Sequence, residues 1–564
     1  MKQYPYQGSM SDPENIIYRS FEEQADRFVR TMLCGYTPQH YARSKAVHDC
    51  VWGTVLFYPW ELQIMDSPLL QRLRKINQLG LAMYTYPSAH HSRFEHTLGV
   101  VAVASRMIES ISNGVWGDTQ NNFRICPEHV CMIRMAALLH DVGHCFFSHL
   151  SEVIYSGMDE FRELKASFAV FSKAQAHEIL GYVIVNTPSF RSFFNEKTDY
   201  PYKGRTSASS GRLLQTIGRM ITGAYPECYT DSENNRILPY YLTEMINGQF
   251  DADALDYLRR DSYATGLDLT YNLDRFLYKI RIVEREEEKD GVPVFGQHLT
   301  IPVSGITTIE EMMYNKQMLT RYIYQHQKVM AVDSVVTDIA QGLTENGRLS
   351  SPCDFLYMTD DNIYMLMNNS EDFSVPLSRL RLGADTKKTL ADAARKVSER
   401  DLPKKAFIIN SKTITAIDGK PSVSAQETAE FVNRYKPVLR REIYDEAVRL
   451  NSLCGEKYSF DMYDIHIAVP KYSLAKDYSG VCVIDNDNSF IPISDVMNLN
   501  RMSDIYADYS WNAYVFADTA ILPLISLAAR NVLMAHGADF DDAVFSHLKH
   551  SADIAELAAK IKAE

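Results

Sequence analysis

Four residues of this chain have side chains suited to holding one divalent metal ion: His96, His140, Asp141 and Asp253. Two imidazoles and two carboxylates offer nitrogen and oxygen donors without a thiolate, a set that suits iron, manganese, zinc, cobalt or magnesium. Such a set leaves coordination positions for water and a substrate, as metal-dependent hydrolysis requires. The strongest evidence is the run from His140 to His149, which reads His-Asp-Val-Gly-His-Cys-Phe-Phe-Ser-His.

Each candidate ligand also has an ordinary structural explanation. An isolated histidine such as His96 on an apolar helix is more often a hydrogen-bonded core residue than a metal ligand. His140 and Asp141, however, follow an apolar helix, where a carboxylate without a partner would cost free energy that a metal ion offsets. The adjacent pair therefore favours a metal site over simple packing.

A polar stripe follows Asp253 along one helix. Asp256, Tyr257, Arg260 and Asp261 stand three, four, seven and eight residues after it, so all five side chains share one face. Such a stripe is usually a solvated surface. Because apolar residues occupy the other faces of the same helix, a pocket for a sugar and a phosphate is the alternative interpretation.

Arg93 precedes His96 by three residues, so both side chains project to the same side of a first helical turn. The guanidinium could form a surface ion pair with the neighbouring Glu95. Beside a metal ion, its planar fork would instead suit a phosphate group. Spacing alone leaves both interpretations open.

Further imidazoles are candidates for a general acid. If the reaction expels an alkoxide, a side chain must supply a proton near neutral pH, and His144, His149 and His177 are available. Glu152 follows His149 by about one helical turn and could hold its imidazolium. For His144 and His177, a purely structural role in capping or packing is the alternative.

The segments that carry these residues read mainly as helices. Pro127 suits a first helical turn, and Gly80 suits a helix end. Alternating apolar residues on either side of a charged tip indicate a β-hairpin. We expect the helices Pro59–Gln78, Phe94–Ile111, Pro127–Asp141 and Leu242–Tyr263, the strand Val55–Phe57, and a hairpin of Lys279–Arg285 with Val292–Ile301.

The length of 564 residues exceeds what one core usually supports. We expect a mostly α fold with three parts: an N-terminal arm (1–44), a phosphohydrolase core (45–335) and a smaller C-terminal α+β lobe (336–564). The formal charge of −13 argues against a protein built mainly to coat nucleic acid.

Targeting and redox features also point to one compartment. The sequence has neither a signal-peptide core nor the roughly 18 unbroken apolar residues of a membrane span. Its nine cysteines include no Cys-x-x-Cys pair, so we expect small, buried, reduced side chains. These features predict a soluble cytoplasmic protein without a membrane partner.

Eight segments of the chain match the motifs of one known family. They are His48–Gly53, Asp66–Pro68, Gln71–Arg74, Gln78–Gly80, Ser92–Gly99, His140–His149, Asp253–Asp261 and Ile309–His326. Together they resemble the HD-domain deoxynucleoside triphosphate triphosphohydrolases, most closely the branch of the animal sterile-alpha-motif and HD-domain enzyme and its bacterial relatives. The resemblance runs almost without gaps from Lys45 to Ile111 and, with insertions, to about Lys328. The HD motif alone specifies only a metal phosphohydrolase, whereas the flanking motifs are more specific.

The resemblance implies an HD-domain helical core and a role for each matching residue. It makes His96, His140, Asp141 and Asp253 the metal ligands. It implies that Arg93 binds phosphate and that His149 is the general acid, supported by Glu152. It places His144 and His177 in contact with the phosphates or the attacking water. The implied substrate-binding residues are Gln78 and Asp261 at the sugar 3′-hydroxyl, Leu79, Tyr257 and Tyr324 around the sugar, and Lys316.

A regulatory nucleotide pocket is also implied, with Lys45, Asp66, Gln71 and Arg74 as its residues. The carboxylate would recognise a guanine and the cations would hold a triphosphate. Residues Gln71, Arg74 and Gln78 would share one rigid helix that joins this pocket to the substrate. The structural alternative is that Asp66 caps the following helix and Arg74 makes a surface ion pair.

Four positions depart from the animal enzyme. Ala254 stands where that enzyme has a phosphate-binding lysine, Lys316 replaces an arginine, Thr320 a histidine and His48 an asparagine. The missing cation at Ala254 weakens the expected grip on a triphosphate, since charge-assisted contacts contribute about 1.5–3 kcal/mol each.

The function implied is hydrolysis of dNTPs to deoxynucleoside and inorganic triphosphate, in dNTP pool control or phage defence. The expected cofactor is Mn, Fe, Mg, Zn or Co, and the expected partners are a dNTP substrate, an activating GTP or dNTP, and further copies in a homodimer or homotetramer. Nucleic acid is not a favoured partner. One alternative is another HD phosphohydrolase: a nucleotidase, a signalling-nucleotide phosphodiesterase or a nuclease. The other is a nucleotide-binding scaffold without turnover.

Overall fold

A computed structural model describes most of the chain and shows a predominantly helical fold, which confirms the predicted fold class. The described residues are 16–113, 123–203, 210–289, 291–345, 349–367, 393, 395–421, 423–472, 482–485, 489–498, 501, 505–506, 508, 510–546 and 548–563.

The helices form where a segment with an apolar face is bounded by residues that favour the start or the end of a helix. Pro127 occupies the first turn of its helix, Asp251 caps the helix that carries Asp253, and Gly266 ends that helix at φ 71°. The helices are α1 (Ile16–Leu33), α2 (Pro59–Met65), α3 (Pro68–Gln71), α4 (Arg93–Asn113), α5 (Pro127–Leu139), α6 (His149–Tyr155), α7 (Asp159–Ser167), α8 (Ala176–Asn186), α9 (Pro188–Lys197), α10 (Ser210–Ile221), α11 (Tyr241–Glu244), α12 (Ala252–Thr265), α13 (Leu273–Lys279), α14 (Ile306–Leu319), α15 (Gln327–Glu345), α16 (Asp360–Met367), α17 (Ala425–Leu453), α18 (Ile493–Val496), α19 (Leu522–Ala535) and α20 (Ser551–Ala563).

The strands form small sheets with mainly antiparallel neighbours. Their bounds are β1 (Lys45–Asp49), β2 (Gly53–Phe57), β3 (Tyr229–Thr230), β4 (Arg236–Leu238), β5 (Arg281–Lys289), β6 (Val292–Thr300), β7 (Lys404–Ile409), β8 (Ile414–Ile417), β9 (Lys420–Pro421), β10 (Ile465–Ala468), β11 (Cys482–Ile484), β12 (Phe490–Pro492), β13 (Ala513–Ala517) and β14 (Ala538–Phe540). The sheet orders are β1-β2, β3-β4-β6-β5, β11-β12, β10-β13-β7 and β14-β8-β9, and the β4–β6 pair is parallel.

The chain divides into two compact units. The first comprises Met1–Leu319, Leu349–Ile363 and Ser479–Met497, and the second comprises Thr320–Arg348, Tyr364–Tyr478 and Asn498–Glu564. In the first unit, α8 buries every residue and α5 buries all of its residues from Cys131 to Leu139. The long helix α4 packs against both α5 and α12, and these three helices carry the candidate metal ligands.

The second unit has its own apolar core of helices on a sheet. Buried residues of α17 and α19 pack with the inner face of β7, β10 and β13. A half-buried ion pair ties α17 to α15, where Arg440 donates two hydrogen bonds to Asp338, of 2.7 and 2.9 Å. This unit has the α+β character expected of the C-terminal lobe.

Several predicted elements are confirmed and two are corrected. The strand β2 and the helices α4 and α5 lie where the sequence places them. The β5–β6 hairpin also forms, but β5 continues to Lys289 through residues expected at the charged tip. The expected helix Pro59–Gln78 is wrong, because Ser67 caps a new helix with Pro68 in its first turn and the helical path ends at Lys75. The expected helix Leu242–Tyr263 is also wrong, since a turn and the Asp251 cap separate α11 from α12.

The predicted domain boundaries stay predictions. Helix α1, within the predicted arm, belongs to the first unit and buries Phe21 and Phe28, while residues 1–15 of that arm lie outside the described residues. Among the described cysteines none forms a disulfide, but Cys34, Cys50 and Cys126 are exposed, so the expectation of uniform burial is wrong. Across the described helices, none is both long and apolar enough to cross a membrane.

Candidate active site

The candidate ligands come from three helices that meet inside the first unit. His96 lies in the first turn of α4, His140 and Asp141 follow α5, and Asp253 lies in the first turn of α12. Helix α4 approaches α12 closely at Gly99, where a Cβ would overlap the side chains on α12. The absence of a side chain at Gly99 therefore brings His96 and Asp253 together.

Donor atoms of the four candidate ligands converge on a small volume. The Nε2 atoms of His96 and His140 lie 3.3 Å apart, and Asp253 Oδ1 lies 2.9 and 3.9 Å from them. Asp141 contributes Oδ1 at 3.3 Å from His140 Nε2 and Oδ2 at 3.8 Å from His96 Nε2. The structure brings the four predicted ligands together: donor atoms of His96, His140 and Asp141 lie within 4.8 Å of one another, close enough to share one metal ion, and Asp253 adjoins the two imidazoles.

The electrostatics of this cluster also fit a cation. Although burial raises the pKa of Asp141, the Arg93 guanidinium and the His140 imidazole outweigh it and hold that pKa well below its usual range. Asp141 is therefore anionic at neutral pH, as a ligand must be. The side chain of Asp253 is 36% exposed, so the donor cluster can be reached from solvent.

A buried network holds His96 from behind. Its Nδ1 lies 2.7 Å from Asp256 Oδ2, and Asp256 accepts hydrogen bonds from Arg260 Nε at 2.8 Å and from the indole N–H of Trp52. Arg260 also donates to Asp49 at 2.9 Å. A ligating histidine is typically oriented by such a carboxylate on its second ring nitrogen.

This network corrects the interpretation of the polar stripe on α12. Asp256 and Arg260 are 0% and 1% exposed, so they form neither a solvated surface nor a pocket for a sugar and phosphate. Sequence reasoning missed their role in orienting His96. The available signal was the Asp–Arg pair four residues apart, which can close an internal ion pair on one helix face.

Arg93 bonds with groups beside the donor cluster. It donates to Asp141 Oδ2 at 3.0 Å and to Ser148 Oγ at 2.8 Å, and the side chain is buried. The alternative pairing with Glu95 is wrong, because that carboxylate accepts from the backbone N–H and hydroxyl of Ser92. The guanidinium therefore stands next to a ligand, where it could contact a phosphate.

The additional histidines form a second cluster. His144 and His177 stack with ring centroids 3.7 Å apart, and donor atoms of His144, His149 and His177 lie within 4.8 Å of one another. Glu152 lies 2.6 Å from His149 Nδ1 and accepts from the backbone N–H of His177 at 2.8 Å and from its ring. His149 is 59% exposed, so its free face can meet a substrate.

The charges of these imidazoles differ sharply. Burial lowers the pKa of His177, but Glu152 outweighs burial and raises it to about 9. Burial and the neighbouring Arg93 hold the pKa of His144 well below its usual value. His144 Nε2 lies 3.2 Å from Asp141 Oδ1, yet neither of its ring nitrogens has a well-aligned hydrogen bond among the described residues. The imidazole of His177 is therefore cationic at neutral pH, and that of His144 is neutral.

The predicted sugar contacts Gln78 and Asp261 lie on either side of a histidine that sequence reasoning missed. The backbone N–H of Gln78 donates to the carbonyl of His91 at 2.9 Å, and His91 Nε2 lies 2.8 Å from Asp261 Oδ1. Within the described part of the chain, Gln78 Oε1 and His91 Nδ1 are buried without hydrogen bonds. Leu79 and Tyr257 are half-buried.

Two further predicted substrate residues stay predictions. Lys316 is half-buried on α14 in the first unit. Tyr324 ends the π-helical turn Thr320–Tyr324, which belongs to the second unit.

The residues of the predicted regulatory pocket fall into two groups. Lys45 lies over the ring of Tyr41, whose hydroxyl donates to Asp66. Arg74 donates to Gln71 Oε1 at 2.7 Å and stacks 3.8 Å from the centre of the Phe94 ring.

Neither structural alternative for these residues holds. Ser67, and not Asp66, caps α3, and within the described residues Arg74 makes no ion pair. The predicted rigid connection to Gln78 is wrong, since the helical path ends at Lys75.

Comparison with known proteins identifies the segment that carries most of this site. Residues 93–196 match the HD domain, a metal-dependent hydrolase module. That segment contains His96, His140 and Asp141, while Asp253 lies beyond it. The resemblance noted from the sequence is confirmed at this level.

The chain is also similar to several whole proteins. A Bos taurus protein named deoxynucleoside triphosphate triphosphohydrolase SAMHD1 is 26% identical over 52% of this chain and 46% of its own length. Bacillus subtilis YwfO, an uncharacterized protein, is 26% identical over 50% of this chain and 51% of its own. The Dictyostelium discoideum SAMHD1 homolog is 24% identical over 58% and 56%. The chain spans about half the length of the curated relatives it matches.

Proposed function

We propose that this protein is a divalent-metal-dependent hydrolase that converts dNTPs to deoxynucleoside and inorganic triphosphate. The observation that carries the proposal is the donor cluster of two imidazoles and two carboxylates with Arg93 bonded to one of them. The relatives named as dNTP triphosphohydrolases support the substrate class. Residues 45–335 would form the catalytic core.

His96, His140, Asp141 and Asp253 would hold the metal ion, with Mn, Fe, Mg, Zn or Co as candidates. When bound, such an ion lowers the pKa of a coordinated water toward about 7 and offsets phosphate charge. Arg93 then binds a phosphate oxygen, since its guanidinium is already fixed by Asp141 and Ser148. The neutral imidazole of His144 would offer the phosphates a hydrogen-bonding group. The cationic imidazole of His177, which stacks on it, would offer them a positive charge.

His149 is the proposed general acid. Its Nδ1 faces Glu152, which leaves Nε2 to donate a proton to the departing 5′-oxygen of the nucleoside. Glu152 holds the orientation of His149 and, through its other oxygen, that of His177. One carboxylate thus positions both imidazoles.

Selectivity for a deoxyribose would come from the groups around Gln78. Its buried Oε1 has no hydrogen-bond partner among the described residues and could accept a hydrogen bond from a 3′-hydroxyl, beside Asp261. Leu79 and Tyr257 would crowd the sugar. The absence of a cation at Ala254 would weaken the triphosphate grip, which Lys316 supports in part.

Regulation and assembly complete the proposal. Lys45, Asp66, Gln71 and Arg74 would bind an activating GTP or dNTP, and the active form would be a homodimer or homotetramer. The biological role would be dNTP pool control or phage defence.

The direct test is product analysis. Incubating the purified chain with each dNTP, singly and in pairs, with Mn²⁺ or Mg²⁺ should release inorganic triphosphate and deoxynucleoside in equal amounts by ion-exchange chromatography. Orthophosphate or nucleoside monophosphate would indicate a different HD phosphohydrolase, and no product would indicate a binding scaffold.

The matched control compares two histidines of the α5 region. His140→Ala should abolish both hydrolysis and metal binding with unchanged circular dichroism. His129→Ala should retain both, because His129 bonds to the hydroxyl of Tyr241 at 2.6 Å and not to the donor cluster. Full activity of His140→Ala would refute the site.

A further inference from the structure

Asp360 is a buried carboxylate far along the sequence from the HD domain segment. It is 3% exposed, and among the described residues no cation forms an ion pair with it. It opens α16 and belongs to Leu349–Ile363, a segment of the first unit. A carboxylate without a cation is costly to bury, so its two oxygens need strong donors.

Both oxygens accept backbone N–H groups from two different loops. Oδ1 accepts from Phe147 at 2.6 Å, and Oδ2 accepts from Asn77 at 2.8 Å. Phe147 lies two residues before His149, and Asn77 directly precedes Gln78. One side chain therefore joins the loop of the proposed acid to the loop of the proposed sugar contact.

The loop before His149 has a conformation that needs external support. Phe147 has φ 47° and Ser148 has φ 55° with ψ −119°, although neither is glycine. Such backbone persists only where surrounding contacts fix it. Ser148 Oγ donates to the carbonyl of Asn77 at 2.6 Å, and Gly80 packs against the carbonyl of Phe147.

We propose that Asp360 is a positioning residue that fixes the His149 loop against the Gln78 loop. The distance between the acid and the sugar then depends on a residue outside the HD domain segment. Phe355 of the same segment stacks on Phe146 at 5.8 Å, so the segment contacts the loop at a second point. The catalytic part of this inference rests on the proposed function.

The test compares two neighbouring carboxylates. Asp360→Asn replaces one acceptor oxygen by an NH2 group, which faces a backbone N–H and cannot accept its hydrogen bond. Asp361→Asn is the matched control, because Asp361 lies 3.4 Å from Lys75 at the surface. Asp360→Asn should speed amide hydrogen exchange in peptides covering 76–80 and 144–149, whereas Asp361→Asn should not.

Kinetics then show whether Asp360, by holding the two loops together, affects catalysis through His149. Asp360→Asn should lower kcat for a dNTP by about ten- to a hundredfold with metal content unchanged, since small displacements of reacting groups are that costly. In a His149→Ala background the same change should have little further effect. A purely structural defect would instead lower activity by the same factor in both backgrounds.

The outcomes separate this inference from the proposed function. Unchanged amide hydrogen exchange in Asp360→Asn would overturn the positioning role of Asp360, whether or not the protein hydrolyses dNTPs. Faster exchange with additive kinetic effects would overturn its action through His149. A wild-type protein that does not hydrolyse dNTPs would refute the proposed function. The hydrogen-exchange result would still test whether Asp360 holds the two loops.

Discussion

Replacing Asp256 by Asn should weaken metal binding without removing a ligand. The carboxylate lies 2.7 Å from Nδ1 of His96 and fixes the ring that presents Nε2 to the donor cluster. Loss of such a partner typically lowers metal affinity 10–100-fold, which is about 1.4–2.8 kcal/mol. Arg260 keeps its 2.9 Å contact with Asp49, so we expect a stability loss near the lower end of the range of about 3–5 kcal/mol for a broken buried ion pair.

The assay is competition for Mn²⁺ or Zn²⁺ with a chromogenic chelator, alongside thermal unfolding without metal. Glu61→Gln is the matched control. Glu61 is a buried carboxylate bonded twice to Arg134, at 2.6 and 2.7 Å, and bonds to no candidate ligand. It should lower the Tm as Asp256→Asn does, while metal affinity stays at the wild-type value. Equal metal affinity in wild type and Asp256→Asn would refute the role assigned to Asp256.

Three other outcomes follow from the site. If the sugar binds at Gln78 as proposed, ribonucleotides should be poor substrates, since the neighbouring side chains would not admit a 2′-hydroxyl. Comparable kcat/KM for GTP and dGTP would contradict this. Arg74→Ala or Asp66→Ala should abolish nucleotide activation, seen as loss of sigmoidal kinetics and of enlargement on size exclusion, with metal content unchanged; hyperbolic wild-type kinetics would count against the regulatory pocket. Burial lowers the pKa of His177 but Glu152 raises it to about 9, so the stabilisation from this pair is complete below pH 6.5 and lost as the pH rises to about 9. The Tm should fall over that interval, and Glu152→Gln should remove the slope.

The sequence singled out the residues of the donor cluster because their chemistry is unusual for their surroundings. A carboxylate after an apolar helix needs a partner, and that requirement located His140 and Asp141 without any structure. Burial of Asp256 and Arg260 on α12 could not be predicted the same way. Spacing shows that Asp256 and Arg260 share a face with Asp253, but only packing against α4 shows that the face is internal.

Contacts distant in sequence account for the other omissions. His91 becomes relevant because α12 brings Asp261 to it, and Asp360 because a late segment returns to the first unit. The break between α2 and α3 at Ser67-Pro68, by contrast, could have been predicted from the sequence. A proline disfavours helix in the residue before it and suits a first turn, so a cap followed by proline marks a new helix.

The dispersal of the donors along the chain limits how this site can be inherited. A recombination event that moved only residues 93–196 into another protein would deliver three donors and leave Asp253 behind. It would also leave Asp256, the carboxylate that orients His96, and Asp49, which shares Arg260 with it. The smallest exchangeable block must therefore begin before Asp49 and end beyond Arg260.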